Sequence, residues 1–483
     1  MNVKVTIRNY LTRPFFLLLF ALRVFAQMAP ASPDRPWHTS AEQQIKDDAK
    51  HFRELKFSLE PDRAYSLAEL IDLAEAHNPD TRIAWEGARS QLAALGVARS
   101  ELYPTLAAIA ISHIQRVEVL LGTDFFRQIL QSFEGTLDLS YTIFDFGARR
   151  GRIDAARAQL LAANFAFNDT HRKLIYQVEQ AYYQLLNASG QEEAARASLL
   201  NAQTVQQAAE DRLKNGLATL PDVLEARSAT AQAEYDLQAV LGTEEIARGN
   251  LATALGTSAI VTIRVQPLSE IPTPESIRDT VDQAIDRAFQ QRPDLMQQVS
   301  EVRSANARIK EARAAYYPTL SVNAMPTAQW LYGKQETLPW VQTGGLNGAL
   351  TFSLNWTVFD GGARKNRLAQ AEANSRAAEA QVSATRDQIT DEIWTAYSNL
   401  KTALRQRESA LALVEAANQS YAASLESYNY GVRSLLDVTS AQRTLAQARS
   451  TDVLARTQVL NAVANLAFET GDAIQSAPRR PRP

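Results

Sequence analysis

Several residue types that support catalysis occur in the chain, but their spacing fits no catalytic chemistry. The five histidines are scattered, and no HExxH pair that would bind zinc is present. There is no glycine-rich phosphate loop, and there are no cysteines to act as nucleophiles or metal ligands. Adjacent acids lie in helical stretches, where solvated helix faces account for them: Glu192 and Glu193, Glu244 and Glu245, Asp391 and Glu392. We therefore expect no enzyme activity, no cofactor and no metal site.

Two short segments stand out because each has a helix-breaking glycine shortly before an aspartate. Gly216 precedes Asp222, and Gly431 precedes Asp437 at the same spacing. An aspartate near a helix start is stabilised by the helix macrodipole. Arg433 lies four residues before Asp437 on the same helix face, so the pair could be a surface ion pair worth ~0.3–0.5 kcal/mol. Spacing alone favours this structural interpretation over a functional one.

The glycines end two long stretches without proline, 148–215 and 363–430, which are predicted to be helices of ~100 Å each. Both stretches have the heptad-like apolar spacing of coiled coils: Leu174, Val178, Ala181 and Leu185 in the first, Ile389, Ile393, Ala396 and Leu400 in the second. The flanking stretches 64–102 and 219–256 could stack end to end and run antiparallel to a long helix. Helices of this length suit a rod or the wall of a tube.

Before each long helix the sequence predicts a pair of β-strands, at about 104–145 and 318–359. The last strand alternates most clearly: Leu350, Phe352, Leu354, Trp356 and Val358 point one way, and Thr351, Ser353, Asn355 and Thr357 point the other. This pattern suits a barrel wall between lipid and water, but a half-buried strand of a soluble sheet has the same pattern and is favoured by the pattern alone. Four strands cannot close a barrel, because about eight are needed, so a membrane wall would require several chains.

The chain is an internal two-fold repeat. The segment Tyr103-Pro104-Thr105-Leu106 recurs at 317–320, and the segment 141–149, which contains Phe-Asp-x-Gly-x-Arg, recurs at 356–364. We assign residues 64–258 to the first repeat and 276–471 to the second. A proline-rich linker, 259–275, joins them.

The beginning of the chain has the composition of an export signal. Lys4, Arg8 and Arg13 are followed by a short apolar core that ends near Leu22. Cleavage after Ala26 would remove a signal peptide of residues 1–26.

The parts outside the repeats would be an N-terminal segment, 27–63, and a disordered tail, 472–483.

The composition of the chain limits the function classes. After the predicted signal peptide no segment has some 18 consecutive apolar residues, so entry into a membrane would require a β-barrel. The net charge of −3 gives no reason to expect a nucleic-acid partner.

The order of these motifs resembles the outer-membrane efflux protein family, of which TolC is the best-known member. The resemblance implies a mostly α-helical chain with a β-barrel contribution, assembled as a homotrimer in which three chains build one barrel and one helical tunnel. It implies a location in the outer membrane with a periplasmic helical domain. It also implies docking on a periplasmic adaptor and an inner-membrane pump, in tripartite efflux or type I secretion. The exported substrate stays open between drugs, metals and proteins, because the pump normally sets specificity.

The resemblance also assigns roles at the two glycine turns. In the family, a tyrosine and an arginine of the second hairpin close the tunnel by binding an aspartate of the first. The corresponding residues here are Tyr428, Arg433 and Asp222. A ring of acids below the gate corresponds to Asp437, but its second acidic member is replaced by Ser440. The turn residues are expected to contact the adaptor: Gly216, Leu217, Gly431 and Val432.

An alternative function remains open from the sequence. A non-pore periplasmic scaffold, built from coiled coils with small β-heads, would have the same helices and strands. Such a protein would show no conductance, and it would stay in the aqueous fraction.

Overall fold

The computed structural model describes residues 42–51, 60, 63–261, 263–274, 276, 280–336 and 338–472. The predicted signal peptide, most of the N-terminal segment and all of the predicted tail except Asp472 lie outside these residues. The chain forms two compact units, 1–56 and 57–483. The first unit contains helix α1 (Glu42–His51), and all other described elements belong to the second unit.

The two repeats of the second unit have the same order of elements. The first consists of α2 (Leu67–His77), α3 (Pro79–Ser100), β2 (Thr105–Leu121), β3 (Asp124–Phe144), α4 (Ala148–Lys214) and α5 (Leu220–Ala254). The second consists of α6 (Val281–Gln291), α7 (Pro293–Ala314), β5 (Thr319–Gln335), β6 (Val341–Asn355), α8 (Ala363–Asn429) and α9 (Leu435–Thr470). The predicted linker contains β4 (Arg264–Val265), which pairs in parallel with β1 (Ala64–Tyr65), and a 3₁₀ turn, Leu268–Glu270.

One prediction about the helices was wrong. The stretch 64–102 was expected to be one helix, but it is two, because Pro79 begins a new helix and Asn78 caps it. The side-chain oxygen of Asn78 accepts a hydrogen bond from the N–H of Asp80 at 2.8 Å. The second repeat breaks in the same way before Pro293. Proline is favoured at the first helical position, where its missing N–H would have had no partner.

The predicted coiled-coil positions form the core between the long helices. In α4, Leu174, Val178 and Leu185 are fully buried, and they pack with α2, α5 and α9 in one apolar cluster. In α8, Ile389 and Ile393 are equally buried, and they pack against α6 and α7. The helices therefore bury one apolar stripe each, as the heptad spacing predicted.

The four long strands form one antiparallel sheet in the order β2-β3-β5-β6. The last strand ends at Asn355, so the expectation that Trp356 and Val358 continue it was wrong. The indole N–H of Trp356 donates to the carbonyl oxygen of Tyr316 at 3.2 Å, which holds this residue at the junction between α7 and β5. None of the helices among the described residues is both long and apolar enough to cross a membrane.

The polar face of the sheet is satisfied by its own side chains. Across β3 and β5, Asn323 donates to Asp138 at 2.6 Å, and Gln329 donates to Glu134 at 2.8 Å. Between these pairs the hydroxyls of Thr136 and Thr327 are 2.9 Å apart. These cross-strand bonds fix the register of the sheet at its centre.

The apolar face of the sheet is the exposed one. Leu137 is 48% exposed, and on the edge strand β6 Leu350, Phe352 and Leu354 are 64–69% exposed. A sheet of a soluble protein buries its apolar face and exposes its polar face. Here the chain leaves the apolar face uncovered, and on β6 both faces are exposed. An uncovered apolar face favours a lipid-facing wall over the half-buried strand of a soluble sheet.

Candidate functional site at the helix reversals

The two turns that reverse the long helices have the same backbone geometry. Gly216 and Gly431 have φ values of +71° and +79°, in the left-handed region. In each turn the following residue closes the helix end, as Leu217 donates to the carbonyl of Arg212 at 2.8 Å and Val432 to that of Ser427 at 2.9 Å. This is the Schellman arrangement that ends many helices. Leu217 and Val432 are 67% and 79% exposed, so both turns present an apolar side chain to the surroundings.

The two aspartates after the turns cap the next helices. Asp222 accepts hydrogen bonds from the N–H and the hydroxyl of Thr219 at 2.8 and 2.7 Å. Asp437 accepts the equivalent bonds from Ser434 at 3.1 and 2.8 Å. These bonds hold the pKa of both carboxyls below its usual value, so each aspartate is a carboxylate at neutral pH.

The structure does not join the three predicted gate residues within one chain. We call α4 with α5 the first hairpin and α8 with α9 the second hairpin. Arg433 donates to the hydroxyl of Ser424 at 3.1 Å, in its own second hairpin, and has no hydrogen bond to Asp222. Tyr428 is 4% exposed, and its hydroxyl has no hydrogen-bond partner among the described residues. The burial of Tyr428 raises its pKa, and the charge of nearby Asp222 adds to this effect. The gate therefore stays a prediction for the assembled protein.

The two residues predicted at the constriction lie on one face of α9. Asp437 and Ser440 are three residues apart in the first two turns of the helix, and both are exposed in the chain. Residues at this spacing are neighbours on a helix surface. Their arrangement allows a ring of carboxylates with a neutral hydroxyl beside each one.

Sequence reasoning missed Arg212, which connects the two reversals. It lies in the last turn of α4, and its Nη1 donates to the carbonyl oxygens of Tyr428 at 2.7 Å and Asn429 at 3.2 Å, at the end of α8. Its guanidinium carbon is 4.7 Å from the centre of the Tyr428 ring. A basic residue in the last turn of a helix is common, so the sequence offered no distinctive signal.

A second missed feature is a buried cluster of charges far from the turns in sequence. Arg292 is 3% exposed and forms ion pairs with Asp294 at 2.6 Å, Glu392 at 2.6 Å and Glu469 at 2.9 Å. Burial and the nearby Glu392 raise the pKa of Glu469 to about 7. Arg172 continues the cluster through Asp294, at 3.6 Å. The described residues contain no group of acids and histidines that could hold a metal ion.

The repeated Phe-Asp-x-Gly-x-Arg motif has a structural role at the opposite ends of the long helices. Asp145 accepts hydrogen bonds from the N–H groups of Gly147 and Arg149 at 3.2 and 2.8 Å, and from the Arg149 side chain at 3.0 Å. Asp360 makes the same bonds at the start of α8. The motif fixes the change from strand to helix in both repeats.

Taken together, the two antiparallel helical hairpins, the sheet with an exposed apolar face and the paired reversals define a membrane-anchored channel subunit. The model of the outer membrane efflux protein family matches residues 70–257 and 284–472, one match in each repeat. The chain belongs to the outer membrane efflux protein family. Membership confirms the predicted function class and location, an efflux channel of the outer membrane. This family consists of channel proteins and not of enzymes.

Comparison with known proteins supports the assignment along most of the chain. The chain is 27% identical to Protein CyaE of Bordetella pertussis over 396 residues, which cover 82% of this chain and 81% of that protein. It is 26% identical to outer membrane protein OprJ of Pseudomonas aeruginosa over 381 residues, 78% of each chain.

Solved structures have the same fold. A membrane protein from Pseudomonas aeruginosa matches with a TM-score of 0.74 at 25% identity, covering 84% of this chain and 93% of that one. The outer-membrane channel OprN matches with a TM-score of 0.72 at 20% identity, covering 86% and 95%. These matches confirm the predicted fold class, long helices and a membrane sheet in a two-fold repeat.

Proposed function

We propose that the chain works as a homotrimer, in which three sheets close one β-barrel in the outer membrane and the helical hairpins form a tunnel through the periplasm. A periplasmic adaptor and an inner-membrane pump would deliver the substrate to the tunnel. Membership of an efflux protein family supports these partners.

The observation that carries the proposal is the sheet, whose apolar face is exposed while its polar face is hydrogen bonded within itself. Its two edge strands, β2 and β6, each pair on one side only, and their outer edges have no pairing partner among the described residues. Long unpaired edges favour pairing with another chain. Three copies supply enough strands to close a barrel, whereas one does not.

The test is a matched pair of substitutions on neighbouring residues of β6. Leu354→Arg places a charge on the lipid face and is expected to cost about 2–4 kcal/mol near the bilayer midplane, so that little trimer reaches the outer membrane. Ser353→Arg points to the water-filled side and is expected to assemble almost normally. The measurement is the amount of trimer in outer-membrane fractions, together with conductance of purified protein in planar bilayers.

Equal assembly of the two variants would contradict the proposed lipid face. A wild-type protein that is recovered in the aqueous fraction and shows no conductance would instead support the periplasmic scaffold.

We also propose that the resting tunnel is closed at the helix reversals. Arg433 and Tyr428 would tether their hairpin to Asp222 when the hairpins of the assembly meet. Among the described residues the hydroxyl of Tyr428 has no hydrogen-bond partner, and Arg433 is exposed and donates to Ser424 through Nη1, so both side chains have further donors for such a contact. Each bond would contribute about 1 kcal/mol, and the three-fold symmetry would repeat it.

The carboxylates of Asp437 would then approach one another around the axis and attract cations, multivalent ones most strongly. Ser440, which replaces a second acid, makes this attraction weaker than in a pore with two acidic rings. The double variant Tyr428→Phe with Arg433→Ser should raise single-channel conductance without loss of trimer. Asp437→Ala should abolish block by multivalent cations and leave the closed state largely intact.

A double variant that conducts like the wild type would show that Tyr428 and Arg433 do not close the channel. Unchanged cation block in Asp437→Ala would remove that residue from the constriction.

A further inference from the structure

The side chain of Arg212 reaches from the first hairpin to the end of the second. Besides its two bonds to the carbonyl oxygens of Tyr428 and Asn429, its Nη2 lies 3.5 Å from the carbonyl oxygen of Leu217 in its own turn. One guanidinium thus contacts backbone atoms of both reversals at the same time.

The contact is chemically suited to a cation. The last carbonyl groups of a helix have no intrahelical donors, and they form the negative end of the helix macrodipole. Arg212 meets two of these carbonyls in α8 with one Nη, and its guanidinium carbon lies over the ring of Tyr428, 4.7 Å from the ring centre. An arginine on an aromatic face adds a cation–π attraction. Lysine would provide the charge but not the planar fork that spans several acceptors.

The charge of Arg212 also acts on two residues of the proposed gate. The positive charge of Arg212 contributes to the lowered pKa of Asp222, after the hydrogen bonds from Thr219. It also opposes the effect of burial on the pKa of Tyr428. Arg212, Asp222 and Tyr428 therefore form one cluster that includes residues of both hairpins.

We propose that Arg212 is a positioning residue that holds the two helix reversals of one chain together and fixes the place of Tyr428 in the closed channel. The proposal rests on the proposed function, a conduit that is gated at these reversals. Arg212 acts within a chain, through backbone carbonyls, whereas Arg433 contacts no residue of the other hairpin within the chain. When the tunnel opens, the contact between Arg212 and the end of α8 must break.

Loss of Arg212 should loosen the tips without unfolding the hairpins. An apolar cluster below the turns also joins the two hairpins, with Val205, Ala209, Tyr421, Leu435 and Val438 among its members. Arg227 offers a matched control, because its side chain binds Glu210 at 3.0 Å within the first hairpin.

The first measurement reports on the tips without requiring a functioning channel. The chain has no cysteines, so Leu217→Cys and Val432→Cys allow one spin label on each exposed turn. Labelled chains are mixed with a large excess of unlabelled chains before assembly, so that the spin–spin distance is that within one chain. We expect Arg212→Ala to lengthen and broaden the distance distribution, Arg212→Lys to do so partly, and Arg227→Gln to leave it unchanged.

The second measurement is single-channel recording in planar bilayers. We expect the ratio of open to closed time to rise about ten-fold in Arg212→Ala, a change that corresponds to ~1.4 kcal/mol. Arg227→Gln should record like the wild type.

The two measurements separate the two proposals. An unchanged distance distribution in Arg212→Ala would overturn the role of Arg212, whatever the conductance. A broadened distribution with unchanged gating would also overturn it, because the contact would then be structural. If no variant conducts and the wild type does not either, the channel function fails, and with it the role of Arg212 in gating.

Discussion

In each repeat the residue before the second helix, α3 or α7, contacts the end of the last helix, α5 or α9. We call this contact the joint of the repeat, and the two joints use different side-chain chemistry. In the first repeat, Asn78 caps α3, and its side-chain amide donates to the carbonyl oxygen of Ala254 at 3.1 Å. In the second repeat, the equivalent residue is Arg292, which reaches Glu469, the equivalent of Ala254. The backbone geometry is therefore the same, while a neutral hydrogen bond is replaced by a buried ion cluster. Such a cluster stabilises the fold only while every charge has a partner.

The two reversals differ in the same manner. Their glycines and capping aspartates match in position and geometry. The arginines do not, because Arg212 precedes the first turn and binds the other hairpin, while Arg433 follows the second turn and binds its own. The two repeats thus share a backbone but place their charged residues differently. As a result, among the described residues, only the first hairpin has an arginine that binds the other hairpin.

The largest effect on stability is expected when Arg292 of the second repeat is replaced by asparagine, the neutral residue at the equivalent position of the first repeat. Arg292→Asn leaves three buried or half-buried carboxylates without their main cation, and it should lower the free energy of unfolding by about 3–5 kcal/mol. Adding Glu469→Ala, which completes the arrangement of the first repeat, should restore part of this loss. The measurement is urea unfolding of the detergent-purified protein, followed by circular dichroism.

Arg313 provides the control for this experiment. It lies on α7, the helix that Arg292 precedes, but its pair with Glu372 is exposed, and Arg313→Asn should change the free energy of unfolding by less than about 0.5 kcal/mol. A loss below about 1 kcal/mol in Arg292→Asn would mean that the two joints are energetically equivalent.

A smaller effect on stability is expected from a change of pH, which acts on Glu469 in the joint of the second repeat. Burial raises the pKa of Glu469 to about 7 from an ordinary value near 4.5. Between these two values the folded protein binds more protons than the unfolded chain, so its stability falls as the pH rises through this window and levels off above it. Glu469→Gln should remove about 1–3 kcal/mol of this fall, as measured by unfolding at pH 5 and pH 8.

The first repeat also contains a carboxyl of this kind, Glu179, whose pKa burial raises to about 7. Glu179→Gln should flatten the remaining slope, and the two effects should add if the sites are independent. A wild-type protein whose stability rises between pH 5 and pH 8 would show that neither carboxyl is protonated in the folded state.

The smallest effect tests the part in which the two repeats agree. Gly216→Ala and Gly431→Ala should each lower the free energy of unfolding by about 1 kcal/mol, because alanine is strained at positive φ. A Cβ would have open space at Gly216 and an ordinary contact with Arg212 at Gly431, so strain alone should set the cost. Gly96→Ala, within α3 and also in open space, should instead be stabilising. If the two substitutions lowered the free energy of unfolding by clearly different amounts, the two reversals would not be equivalent.

Much of the fold was predictable because its signals are local. The proline-free stretches and the glycine turns predicted the long helices to within about one residue of their observed ends. The break at Asn78 was missed, although an asparagine before a proline is a helix boundary signal. The end of β6 was missed because the alternation of residue types continues for three residues after the last ladder partner.

The candidate site was predictable only in part. The glycine turns and the capping aspartates were found because each needs a particular residue at a particular spacing. Arg212 was missed because its partner is in the other repeat, 216 residues away. Arg292 was missed because two of its three carboxylate partners, Glu392 and Glu469, are 100 and 177 residues away. No local pattern distinguishes a buried arginine from one on a solvated helix face.

The sequence by itself determined the repeat, the long helices, the four strands and the family, because periodicity, glycine and proline act on the backbone through their neighbours. Only the tertiary structure decided which charges meet. It placed Arg212 on the end of α8 and left Arg433 in its own hairpin, and it buried Arg292 among three carboxylates. The reason is that an ion pair depends on the distance between two side chains in space, and that distance is set by the packing of whole helices.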